Sequence, residues 1–94
     1  MEKVTIDGVD YVRAAKSEKQ IVVAQRGWVY VGDVSIEGDD LVIRNAKNLR
    51  RWGTTKGLGE LVNGPLPNTV ADDYGTVSIN VLAVVCRIDV KGGW

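Results

Sequence analysis

Thr76 to Val90 is the longest apolar run in the chain, and it cannot be one straight strand. Fifteen residues at about 3.3 Å each would reach roughly 50 Å, too far for so small a domain. The pattern shows where it breaks. Val77, Ile79 and Val81 share one parity, whereas Leu82, Val84, Cys86, Ile88 and Val90 share the other. A switch at Val81-Leu82 predicts a bulge or bend, as in a strand that rounds a barrel or passes between sheets. The same parity predicts that Cys86 packs in the core.

Other strands follow from turn signals. Val4 to Val12 reads as a hairpin around Asp7-Gly8, and Arg13 to Gln20 as a polar connector. Ile21 to Gln25 is a short strand that bends at Arg26-Gly27. Trp28 to Ile36 and Leu41 to Ala46 form a hairpin about Glu37-Gly38-Asp39-Asp40. This register sets Ile36 against Leu41, Val34 against Ile43 and Asp33 against Arg44. Carried further, the ladder brings Trp28 near Leu49 and Arg26 near Arg51, where like charges would call for an anion. Leu66 to Gly75, rich in turn formers, reads as a loop. The total is one domain, residues 1–94, mainly β: a small antiparallel barrel or sandwich of about six short strands with one short helix over Gly57 to Asn63.

Between these strands lies Leu49 to Pro67, LRRWGTTKGLGELVNGPLP, with Arg50, Arg51, Lys56, Trp52, Thr54, Thr55 and four glycines. Cations, hydroxyls, glycine-freed amides and an aromatic face are the parts of an anion or nucleotide site. The plainer reading is a solvated basic loop pinned by Trp52. Five basic residues and no acid run from Arg44 to Lys56, while two acids and no base run from Val70 to Asn80. The formal net charge is zero. A local cationic patch on a neutral body suits a small anion and argues against a long nucleic acid.

Several chemistries are excluded. The chain has no histidine and one cysteine, so there is no Ser–His–Asp or Cys–His pair, no His-ligated metal and no thiolate cage. An enzyme is not expected, nor is a cofactor. Gly57-Leu58-Gly59 lacks the third glycine and the βαβ unit of a dinucleotide fingerprint. Gly53 to Gly57 lacks the Walker spacing. Asp39-Asp40 and Asp72-Asp73 read as turn residues. The opening MEKVTID has no signal-peptide pattern, and no apolar run approaches the ~18 residues of a membrane span. A soluble intracellular protein is therefore expected. The closing KGGW reads as an exposed aromatic on a flexible tether, an anchor onto a neighbour.

Asn45-Ala46, the string LRRWGTTKGLGELVNGP, the upstream QRGWVYVG and the downstream VLAVVCRID resemble a family of small phage and prophage proteins with no known enzymatic activity. WGTTKGLGEL is the most specific part, and the likeness runs from about Ile21 to Asp89. Small phage β proteins of this kind include anti-defence sponges, which hold cyclic nucleotide signals of bacterial immunity without cleaving them. A chain of 94 residues has a thin core of its own, so a homo-oligomer is expected, and the resemblance places it in the cytoplasm of a bacterial host. By analogy it places a phosphorylated nucleotide near Arg26, Trp28, Arg50, Arg51, Trp52, Thr54, Thr55, Lys56 and Gly57. The alternatives are a structural or assembly protein of a phage particle, and a single-stranded nucleic-acid binder.

Overall fold

The computed structural model describes residues 18–94; the Val4–Val12 hairpin expectation lies outside them. Five antiparallel strands form one sheet: β1 (Glu18–Ala24), β2 (Val29–Glu37), β3 (Asp40–Arg51), β4 (Val70–Asn80) and β5 (Val84–Asp89). Their order in the sheet is β4-β3-β2-β1-β5. The mainly β expectation holds, and the helical segment is a 3-10 helix, Leu58–Asn63, closed at Gly64.

The β4–β5 connection dictates the shape of the sheet. β4 ends at Asn80, which pairs with Asp40, and β5 begins at Val84, which pairs with Ala24. These strands lie at opposite edges, about 19 Å apart in a flat five-stranded sheet. Only the 3-10 turn Val81–Ala83 joins them, and four Cα steps reach at most about 15 Å. The sheet must therefore curl strongly. It does not close, because the described strands include no β4–β5 ladder. The parity switch at Val81-Leu82 is this turn.

Curling divides the core in two. Val22, Tyr30, Val34, Leu41, Ile43 and Ala46 pack inside the curl, with Val77, Ile79 and Val84 against them. On the other face Ile21, Val29, Val31 and Leu49 are covered by Leu61 of the 3-10 helix, with Trp94 packed alongside. Ile21 and Val22 are both fully buried, as expected of a strand covered on both faces.

Several expectations need correction. Glu18–Gln20 belong to β1 rather than to a connector: buried Gln20 donates its amide to Asp89 (2.8 Å), and Lys19 reaches Asp33 of β2. Val70 to Gly75 is strand, not loop, and Asp72 and Asp73 face β3 rather than making a turn. Cys86 is exposed and Leu82 is 86% exposed, because β5 is an edge strand and Leu82 sits on the turn.

The hairpin register agrees at Ile36–Leu41, Val34–Ile43 and Asp33–Arg44, then slips by one: Val31 pairs with Lys47 and Tyr30 with Asn48, the last rung. The slip is a bulge in β3, with Asn45 left-handed (φ 54) opposite Gly32. Trp28 thus does not pair with Leu49, nor Arg26 with Arg51. Side chains also depart from simple cross-strand pairing, since Arg44 hydrogen-bonds Glu37 (2.7 Å) while Asp33 accepts from Asn45 (3.1 Å). Arg44, then Ser35, holds the Glu37 carboxyl below its ordinary range.

Candidate functional site

The site begins at the β1–β2 turn. Gln25–Gly27 form one 3-10 turn, closed by Ala24 N–H donating to the Trp28 carbonyl (2.8 Å). Arg26 is left-handed (φ 67), as is Gly27 (φ 81). An L-residue in this region is disfavoured by about 1–2 kcal/mol, and Arg lacks the short polar side chain that eases it for Asn or Asp. The turn sets the Arg26 guanidinium-bearing chain beside the start of β2.

There Trp28 and Tyr30, two residues apart, project from the same face of the strand. Their rings are nearly parallel, 6° between planes and 6.1 Å between centroids. Tyr74 of β4 tilts onto Tyr30 at 5.9 Å. Tyr30 is buried and forms the floor, whereas Trp28 and Tyr74 are 46% and 47% exposed. Burial, then the charge on Tyr74, pushes the Tyr30 phenol above its ordinary pKa. Like any phenol, it is protonated at neutral pH and can donate a hydrogen bond.

Two clefts flank Trp28. The larger, of about 490 Å³, lies between Arg26, Trp28, Asn48, Arg50 and Tyr74. The smaller, of about 270 Å³, lies between Arg26, Trp28, Tyr30, Ile79 and Ala83. Both are walled by the β1–β2 turn, the larger against β3 and β4 and the smaller against the end of β4 and the Val81–Ala83 turn. Asn48 is held by donating from Nδ2 to the Val29 carbonyl (3.1 Å).

Three sequence candidates, Arg26, Trp28 and Arg50, thus meet at one groove. Arg51, Trp52, Thr54, Thr55, Lys56 and Gly57 do not line it. The Gly-rich loop already holds an anion of its own: the Glu60 carboxylate accepts from the Thr55 hydroxyl (3.1 Å) and the Lys56 amide. Nearby, Thr69 donates its hydroxyl to the Trp52 carbonyl. Glu60→Ala is expected to release this loop, costing about 1 kcal/mol and speeding hydrogen exchange at the Lys56 amide. Unchanged exchange would show that Glu60 does not order it.

Strand pairing also redraws the charge map. The basic run on β3 lies against the acidic run on β4: Lys47 pairs with Asp73 (2.6 Å) and Arg50 with Asp72. Arg44 is engaged by Glu37. Among the described residues, no carboxylate lies within ion-pair reach of Arg26, Arg51 or Lys56. Arg26 is therefore the cation that the groove presents; Arg50 is there already partnered. Tyr30, Asn48 and Tyr74 were missed from the sequence. Tyr30 was accessible through its shared parity with Trp28, but Tyr74 required knowing that its segment is strand.

Comparison with known proteins finds no matching family model and no curated sequence match. Among the described residues, no helix is long and apolar enough to cross a membrane, and no three acidic, cysteine or histidine side chains gather as metal ligands.

Proposed function

We propose that the protein is a non-enzymatic binding protein that sequesters a small phosphorylated nucleotide, as a phage sponge for a cyclic nucleotide immune signal would. One observation carries this reading: Arg26 and Trp28 line two adjoining open clefts, with Tyr30 in the wall of one and Tyr74 in the wall of the other. A guanidinium suits a phosphate, and an exposed indole suits the flat face of a base. The chain has no histidine for acid–base chemistry, which favours holding the ligand over cleaving it. Zero net charge favours a small anion over a polymer.

Calorimetry against cyclic mono-, di- and trinucleotides, NAD-derived cyclic nucleotides and plain phosphate tests the reading. At least one nucleotide should bind. Arg26→Ala should then weaken it by about 1.5–3 kcal/mol, as for a hydrogen bond to a charged group, and Trp28→Ala by about 1–3 kcal/mol, as for a lost stack. Arg51→Ala, outside the groove, should change affinity less than about twofold. Heat from none of these ligands removes the proposal.

A further inference from the structure

The two clefts share a boundary built from the same two residues. Arg26 and Trp28 line both, while Tyr74 belongs only to the larger and Ile79 and Ala83 only to the smaller. The smaller cleft, about 270 Å³, lies just below the ~300 Å³ lower limit of ordinary small-ligand sites. Apart from Arg26, Gln25 and the Tyr30 hydroxyl, its walls are aliphatic or aromatic. The larger cleft, about 490 Å³, carries an aromatic wall with an amide and a second guanidinium. A ligand filling both crosses the boundary that Arg26 and Trp28 form, and a phosphate there meets the one cation that lines both clefts.

Resting on the nucleotide reading, we infer that the groove takes a ligand with two ring systems joined through a phosphodiester: a dinucleotide rather than a mononucleotide. One base enters the smaller cleft between Tyr30, Ile79 and Ala83. The bridging phosphate meets Arg26 at the ridge. The second base lies along Trp28 and Tyr74. A mononucleotide can place its phosphate at Arg26 and its base in the larger cleft, but it leaves the smaller one unfilled. Arg26, left-handed in its turn, is the one cation that lines both clefts.

Titration of the whole chain with AMP, GMP, cyclic AMP, and linear and cyclic two-base phosphodiesters tests this, followed by Trp fluorescence and calorimetry. A two-base ligand should bind at least about tenfold more tightly than any mononucleotide. Ala83→Leu, which narrows only the smaller cleft, should bring the two-base ligand down to the mononucleotide level and leave mononucleotide binding unchanged. Gln25→Trp, at an exposed rim position of the same cleft, does the same if Ala83→Leu fails to fold. Equal affinity for one-base and two-base ligands, or a preference that survives both variants, overturns the inference. In that case Arg26-dependent mononucleotide binding would leave the groove reading standing. No binding of either class sinks both.

Discussion

Gly32→Ala is expected to destabilise the fold by about 3 kcal/mol, at the upper end of overpacking penalties. A Cβ at Gly32 would stand 2.6 Å from Ile43 Cγ2, 2.9 Å from the Arg44 carbonyl oxygen and 3.1 Å from the Ala46 Cα. None of these can retreat cheaply. Ile43 is fully buried inside the curl, and the Arg44 and Ala46 backbones are fixed by the bulge that Gly32 faces. For a domain of this size, each kcal/mol shifts Tm by roughly 4–8 °C, so a fall of some 12–24 °C is expected. Gly38→Ala is the control. Gly38 is left-handed (φ 66) but has open space around it, so only the conformational penalty of about 1–2 kcal/mol applies. Equal melting temperatures for the two variants would mean that the bulge yields and that close approach is not what requires glycine at 32.

The bulge also marks how far the sequence could be read. Alternation and the Gly38 turn led to the right partners for Val34, Ile36 and Asp33, because a pleated strand with one buried face tolerates no slip. The same arithmetic failed beyond Gly32. An isolated glycine in a strand and an asparagine able to turn left-handed are bulge signals, and both were present. The bend at Val81-Leu82 was legible because parity switched there. The bulge in β5 was not: the register shifts between Val84 and Cys86, so Val84 joins the Val22 cluster while Ile88 joins the Ile21 cluster, and the parity expected to unite them fails. This is why Cys86 was assigned to the core.

At the site, proximity in sequence misled. Arg50, Arg51, Lys56 and the glycines looked like a cradle because they are consecutive. Folding turned the Lys56 amide and the Thr55 hydroxyl toward Glu60 and matched Lys47 and Arg50 to the Asp73 and Asp72 of β4. Of those residues the groove keeps only Arg50; it draws otherwise on Arg26, Trp28 and Tyr30 around the β1–β2 turn and on Tyr74 of β4. Two charge runs of opposite sign in one small β chain were better evidence for adjacent strands than for a patch.

Trp94→Ala should cost about 2–3 kcal/mol, and Gly93→Ala about the same, for one shared reason. The segment Lys91–Trp94 was expected to reach for a neighbour, but it docks on its own chain. Trp94 donates from Nε1 to the Leu61 carbonyl (2.6 Å) and packs on the Ile21–Leu61 cluster. Lys91 N–H and Gly92 N–H both donate to the Val62 carbonyl (2.7 and 3.2 Å). A half-buried indole contributes roughly 2–3 kcal/mol and each hydrogen bond about 1, against the entropy of ordering the segment. At Gly93 (φ 87) an added Cβ would fall 2.1 Å from the Asn63 carbonyl oxygen and 2.6 Å from the Gly64 Cα. Unlike Gly32, this glycine can escape its clash if the whole segment lets go. The penalty is therefore capped at the docking energy, however close the contact. Once released, the segment gives Trp94 nothing more to lose, so the double variant should be no less stable than either single one, an interaction of about 2–3 kcal/mol in the cycle. Denaturant midpoints of the four proteins measure it directly. Additive losses would mean that Gly93→Ala distorts the Leu58–Asn63 helix while Trp94 stays docked, and that the two residues act separately.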